Sequence, residues 1–412
     1  MLDRSRRLAV VALLLASACS SESGGATARL VSWAPPAVGD GAVREGGFSD
    51  LTTDPSDPSG KTLFAISDRG PNDAKGGVAL FPRPAYHQKI SRWRLDVDGT
   101  VRALSFDSIR DGRGRWTNGL PTPLFPHTER AFALGEGGER KPLEADSAGF
   151  DFEGLASDGA DGFWTTEEYG PRLLHLRRDS IGYRIDRVLS PGDGLPKVFA
   201  RRELNKGLEA LCRTPGGKIV ASFQGALDNA YKTGPKDISE RSLARRVLVF
   251  DPTSGAVKEF LVQVDDDPEG KTSRRTKTGA CAALDERRVI FLEHRKKGKG
   301  AVQVDLVRID LSQAQDIHIG ADSLGRGRLV EGRTLEEVAL TRDGLAQAGI
   351  RTAARTVVAS DITRSVGGKI PKPEGLALLG DSSFVVVFDN DFGIEGDHAS
   401  RFLWGRLPKE TK

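Results

Sequence analysis

The chain of 412 residues is 38% hydrophobic and 28% charged, with 48 glycines, 21 prolines, three cysteines and one methionine, a globular composition that excludes collagen and wholesale disorder. The formal charge is +3, and the first 18 residues, with Arg4, Arg6 and Arg7 against Asp3, carry +2 of it. The near-neutral remainder gives no electrostatic case for nucleic acid or an anionic membrane surface as partner. Glycine at roughly 12%, against about 7% in an average protein, predicts many tight turns and hence a strand-rich fold.

In chain order, the three arginines precede the apolar run Leu8 to Leu15, which is too short to span a bilayer, and then Ala16, Ser17, Ala18 and Cys19. This reads as a signal peptide over residues 1–18. The small residues before Cys19 resemble the bacterial lipobox, so Cys19 is the expected lipidation site and residues 19–28, which begin Cys-Ser-Ser-Glu-Ser-Gly-Gly, a flexible tether. Ser20 in place of aspartate resembles the outer-membrane sorting pattern of Gram-negative lipoproteins. The expected location is therefore the bacterial cell envelope, with the membrane reached through the lipid anchor only. Export leaves Cys212 and Cys281 where a disulfide is permitted, but their small and apolar neighbours favour buried, unpaired packing.

Residues 29–408 read as one domain built from a recurring hairpin: an acid, a small apolar patch, a turn, an apolar strand, and a closing polar residue. Copies run from Asp50 to Asp68, from Glu153 to Glu167 and Glu168, from Glu209 to Gln224, from Ala282 to Glu293, and from Glu374 to Asp389. Strand-like alternation between Gly, Pro, Asp and Asn turns is the mark of consecutive antiparallel hairpins. Val247 to Phe250 and Val302 to Leu311 read as outer strands. The spacing suits units of about 45 to 55 residues if degenerate copies fill the gaps, which predicts an all-β fold, a β-propeller of six or seven blades.

Both ends of an antiparallel hairpin share one edge, so the acids should crowd one mouth of the channel. Glu153, Glu209, Glu374, Asp389, Asp391, Asp68 and Glu293 are the candidate ligands for a metal, and hard oxygen donors in that number suit calcium. The other reading is structural, each carboxylate accepting backbone N–H groups at a hairpin corner. Asp389-Asn390-Asp391-Phe392-Gly393-Ile394-Glu395-Gly396-Asp397-His398 has the oxygen-rich composition of an ion loop without EF-hand spacing, whereas Asp96 to Gly99 reads as a turn.

These motifs resemble the "esterase-like activity of phytase" family of exported bacterial propeller-like proteins. The carriers are Gly47 to Leu51 with Ala65 to Gly70, Asp151 to Ala156 with Glu167 and Glu168, Asn205 to Leu211, Phe291 to Arg295, and Pro373 to Ala377 with Phe388 to Asp391. The resemblance implies hydrolysis of phosphoesters dependent on the repeated acids; Gln224, where an acid would be expected, interrupts the ring. A fragmentary resemblance to calcium-dependent gluconolactonase-type propellers rests on Pro-Glu-Gly alone.

No Gly-x-Ser-x-Gly elbow or His-Glu-x-x-His pair is present, and Glu269 to Thr272 lacks the first glycine of a P-loop. The basic run from His294 to Lys299 reads as a solvated hairpin loop. The expected function is calcium-assisted hydrolysis of a small phosphorylated or ester substrate by a monomer, with Glu167 or Glu168 as base and Arg69 or Arg295 steadying the developing charge. A non-catalytic propeller binding a ligand or protein at its mouth, and a lactonase, are the alternatives.

Overall fold

The computed structural model describes residues 28–38, 43–75, 77–96, 100–125, 128–135, 138–231, 235–265, 276–296, 302–364, 372–380, 382–394, 396 and 398–408. The signal peptide, Cys19 and all but the last residue of the tether lie outside them. So do residues 97–99, 269–272 and 297–299, and with them most of the three loop readings made at those places.

The strands, in chain order, are β1 (Arg29–Trp33), β2 (Phe48–Thr53), β3 (Thr62–Ser67), β4 (Lys89–Leu95), β5 (Val101–Arg110), β6 (Phe152–Ser157), β7 (Gly162–Glu167), β8 (Arg172–Asp179), β9 (Gly182–Pro191), β10 (Leu208–Arg213), β11 (Ile219–Phe223), β12 (Ala244–Phe250), β13 (Val257–Gln263), β14 (Thr276–Ala283), β15 (Arg288–Lys296), β16 (Val302–Asp310), β17 (Ala354–Ala359), β18 (Pro373–Leu378), β19 (Ser383–Phe388) and β20 (Ser400–Arg406). Four at a time they form antiparallel meanders: blade 1 is β2 to β5, blade 2 is β6 to β9, blade 3 is β10 to β13, and blade 4 is β14 to β17. Blade 5 is β18 to β20 with β1 as its outer strand, so the first strand of the fold closes the last blade.

The inner strands β2, β6, β10, β14 and β18 are neighbours in a closed ring. The packing agrees, because the apolar clusters fall between consecutive blades. Trp164 and Leu173 of blade 2 meet Phe223 and Phe250 of blade 3, Val247 of blade 3 meets Phe291 of blade 4, and Ile290 of blade 4 meets Phe384 of blade 5. Val385 of blade 5 meets Trp93 of blade 1, and Phe64 of blade 1 meets Phe163 of blade 2. Alternation along β19 shows why its sequence is continuously apolar: Phe384, Val386 and Phe388 pack toward blade 4, Val385 and Val387 toward blade 1.

The fold is thus all-β and propeller-like, and the described residues form five blades where the sequence spacing predicted six or seven. Among the described residues no degenerate copies fill the gaps. Insertions do: residues 70–87 and 111–150 carry a small sheet (Asp73–Lys75, Val78–Phe81, Arg130–Leu134 and Arg140–Pro142), and residues 311–353 carry two one-turn helices. The second insertion is clamped by the Arg246 guanidinium, which donates to Glu336 at 2.6 and 3.0 Å and also pairs with Glu259. No helix among the described residues is long and apolar enough to cross a membrane.

Cys212 of β10 and Cys281 of β14 form a disulfide, which corrects the expectation of unpaired packing. Residue spacing hid the pair because 69 positions separate the two, but β10 and β14 are adjacent in the ring and bring their Cα atoms to 5.2 Å.

Candidate functional site

Every inner strand carries a β-bulge near its start, opposite the end of the second strand. The shifts lie between Phe48 and Asp50, Phe152 and Leu155, Leu208 and Ala210, Thr278 and Ala280, and Pro373 and Gly375. A bulge re-aims the side chain it carries. The bulged positions are Ser49, Glu153, Glu209, Gly279 and Glu374, so three blades contribute a glutamate. The small residue that follows two of them is dictated by packing: a Cβ on Gly154 would lie 2.6 Å from the Glu209 carbonyl oxygen, and one on Gly375 2.7 Å from Asp50 backbone.

The residue after the second strand closes the hairpin at the same edge. Asp68, Glu168, Gln224 and Asp389 donate their backbone N–H to the carbonyls of Gly47, Asp151, Gly207 and Lys372. In blade 4 the register puts His294, not Glu293, at this position. Two chemically loaded layers therefore line the mouth, and the residue two positions before each bulged one adds a third: Gly47, Asp151, Gly207, Lys277 and Lys372.

The structure brings Asp151, Glu153 and Glu168 together, with one carboxylate oxygen of each within 4.8 Å of the others. Burial, reinforced by Glu209, Asp151, Glu168 and Glu374, raises Glu153 well above the ordinary carboxylate range. Burial likewise pushes Asp151 up to about 8 against the pull of Arg69. Glu209 is raised by burial and by Glu168 and Glu374, and Asp68 by burial, Asp389 and Asp151. Burial raises Glu374 against Lys372 and Lys277, and pushes Asp389 up to about 8 against Lys372. Buried like charges in this number call for a compensating cation.

The donor set fits one. Among the described residues, the buried Glu209 Oε2 and Gln224 Oε1 have no hydrogen-bond partner, while Gln224 Nε2 donates to Glu209 Oε1 at 2.6 Å. Gln224, where an acid was expected, thus supplies an oxygen as well. An all-oxygen acceptor set of this kind suits calcium.

Three of the sequence candidates are placed elsewhere. Glu167 is fully engaged: its oxygens accept the N–H groups of Asp151, Tyr169 and Gly170 at 3.2, 3.0 and 3.0 Å and the Arg172 Nε at 2.9 Å. It is a corner staple with no lone pair left for a base. Glu293 lies on the other face of β15, its carboxylate paired with Arg355 at 2.6 Å, because alternation turns its side chain away from the position that His294 takes. Arg295 lies half-buried on β15 opposite Thr276 and Gln303.

Arg69 does stand at the mouth. Its guanidinium donates to Glu129 at 2.5 Å and lies 3.6 Å from Asp151 Oδ2. Glu129 is delivered by the small sheet of the first insertion and also accepts from Asn205 at 3.2 Å.

The loop after β19 divides its work. Asn390 Oδ1 accepts the N–H groups of Gly47 and Phe392 at 3.2 Å, and Phe392 packs on Val43 and Tyr86, so these residues fasten blade 5 to blade 1. Lys372 pairs with Asp391 at 3.0 Å and Asp389 at 3.6 Å. Asp391 is buried in part, yet Lys372 and a hydrogen bond with Asp389 hold it below the ordinary range. The continuous ion loop expected from composition is therefore a fastening with two acids facing a lysine; Glu395 and Asp397 lie outside the described residues.

Asp151, Lys277 and Lys372 carry no sequence signal of their own, since no motif marks the position two residues before a bulge. Aligning the five bulges would have exposed it.

A family model described as "Phytase-like: Esterase-like activity of phytase" matches residues 43–392. No curated protein matches the chain in sequence. Among solved structures, a candidate 6-phosphogluconolactonase from Bacteroides uniformis aligns at 10% identity and TM-score 0.34, over 82% of this chain and 77% of that one. A protein from Lactobacillus plantarum aligns at 11% identity and TM-score 0.35 (85% and 80% covered), and an α-L-arabinofuranosidase from Lactobacillus brevis at 8% and 0.37 (89% and 92%). Similarity at this level carries no functional argument.

Proposed function

Since the chain belongs to the phytase-like family, we propose that it is an exported, lipid-anchored hydrolase of small phosphoesters that uses calcium at the acidic mouth. The observation that carries the reading is the convergence of Asp151, Glu153 and Glu168 on one point. Glu209 and Glu374 belong to the same electrostatic cluster.

Asp151 and Glu153 would hold the cation, with Glu209 and Glu374 completing the oxygen set. Bound calcium would neutralise the carboxylates and polarise a phosphoryl oxygen. Glu168, raised by burial against Arg69 and Lys277, takes the proton as the oxygen of a water forms its bond to phosphorus. The ester P–O bond breaks, and the same proton passes to the departing alkoxide. Arg69, held by Glu129, stays positive beside the reacting centre. The Cys212–Cys281 disulfide supports an oxidising compartment and hence export.

The test is turnover of an aryl phosphate, a phosphodiester, phytate, a short-chain ester and a lactone, each with calcium and with chelator. Calcium-dependent release of phosphate, lost in Glu153→Gln with the fold intact, is the expected result. Turnover of the lactone alone, or of none of the five, would overturn it.

A further inference from the structure

The layer of residues two positions before the inner-strand bulges is polarised. In the five blades it reads Gly47, Asp151, Gly207, Lys277 and Lys372, so a side chain is present at only three positions, one acid and two lysines. In a five-membered ring, the wall opposite blade 2 is the junction of blades 4 and 5. Asp151 therefore faces, across the channel axis, the junction that carries Lys277 and Lys372. Gly47 and Gly207, on the flanks, leave the space between open.

The two lysines are differently engaged. Lys372 is exposed and pairs with Asp391 and Asp389. Lys277 is half-buried and its ammonium makes no ion pair among the described residues, although its charge acts on Glu168, Glu209 and Glu374. A half-buried ammonium held in no ion pair, on the inner strand neighbouring that of a lysine whose own partners are exchangeable, is what an anion subsite requires.

We infer that Lys277 and Lys372 form the subsite for the phosphoryl group of the substrate, across the channel from Asp151. The inference rests on the proposed phosphoesterase reading and deepens it by fixing the orientation of the substrate and its charge. Two ammonium groups on one wall favour a terminal phosphate with two negative charges, so a phosphomonoester is preferred to a phosphodiester. Lys277 and Lys372 are then the residues that discriminate phosphate esters from neutral esters and lactones, which bring no charge to that wall.

The experiment is calorimetric titration of the full-length protein in detergent with inorganic phosphate, the product dianion, at saturating calcium. Wild type, Lys277→Gln, Lys372→Gln and the charge-keeping Lys277→Arg are compared, each checked for its melting transition. Each Lys→Gln change is expected to weaken phosphate about tenfold, the scale of one hydrogen bond to a charged group, and Lys277→Arg to recover most of the loss. Calcium alone, followed by melting temperature, should bind the Lys→Gln variants at least as well as wild type, since each change removes a positive charge that acts on Glu374. Phosphate binding that is absent in wild type, or equal in wild type and both Lys→Gln variants, overturns the subsite. If calcium binding and phosphomonoester turnover persist in that case, the inference falls while the hydrolase reading stands; if turnover is absent as well, both fall.

Discussion

Asp50 Oδ2 accepts the backbone N–H of Leu155 at 2.8 Å, which ties the inner strand of blade 1 to that of blade 2. Its other oxygen accepts Leu376 at 3.1 Å in blade 5 and Leu51 at 2.8 Å in its own strand, so one buried carboxylate joins three blades at the axis. The predicted consequence is structural. Asp50→Ala leaves three buried N–H groups without an acceptor and should cost about 3 kcal/mol or more in chemical denaturation. Asp50→Asn, which keeps one acceptor and turns an N–H₂ group toward donors, should destabilise by a similar amount. Unchanged denaturation midpoints in both variants would contradict this role.

The Cys212–Cys281 bridge staples blade 3 to blade 4 at the inner ring. Replacing both cysteines by serine should lower stability by about 2 to 4 kcal/mol, the usual contribution of a disulfide closing a long loop. Thiol titration of the unfolded wild-type chain, with and without prior reduction, checks that the bridge is formed; a free-thiol count that reduction does not raise would refute it.

The pH dependence has a definite sign. Asp151 and Asp389 ionise near 3.8 under ordinary conditions and near 8 in the folded chain, because burial disfavours their charged forms. Between those values the folded chain holds protons that the unfolded chain has released. Stability from these groups is complete below about pH 4 and is lost as pH rises toward 8. Chelated protein should therefore melt higher at pH 5 than at pH 8. Calcium, which competes with those protons, should raise the melting temperature more at pH 8 than at pH 5. A chelated protein that melts higher at pH 8 would show the acids are not buried together.

Much of this was legible in the sequence. All five hairpins were visible, because each repeats the same local problem: a tight inner strand, a bulge, and a polar residue at the shared edge. The blade number was not, since the gaps between Phe48, Phe152, Leu208, Thr276 and Pro373 are set by insertions whose length says nothing about repeats. Glu293 stands out in place of His294 because it is the acid at the end of the apolar run, yet it sits one residue short of the shared edge, and in a strand one residue exchanges the two faces. The Cys212–Cys281 pair depends on ring adjacency, which no local pattern encodes. Glu167 and Glu168 stood side by side with equal claims, and only the hydrogen bonds separate them.

That pair gives the sharpest test. Glu167 receives four donors at the corner of blade 2, so Glu167→Gln turns an amide N–H₂ toward groups that are themselves donors and strands the buried Arg172 guanidinium. The expected loss is about 3 to 5 kcal/mol, as for a broken buried ion pair, with any fall in activity following the fraction unfolded. Among the described residues, Glu168 accepts only a long contact from the Gly207 N–H at 3.4 Å, and it shares its surroundings with Asp151 and Glu153. Glu168→Gln removes one of three crowded acidic groups, so the chelated protein should melt no lower than wild type, and the calcium-induced rise should shrink. Turnover of the phosphomonoester should drop about 100-fold or more at unchanged folding, the scale of a lost general base. Melting curves with and without calcium, run on both variants beside the phosphatase assay, separate the roles. If Glu168→Gln unfolded the protein while Glu167→Gln left it stable, the two assignments would have to be exchanged.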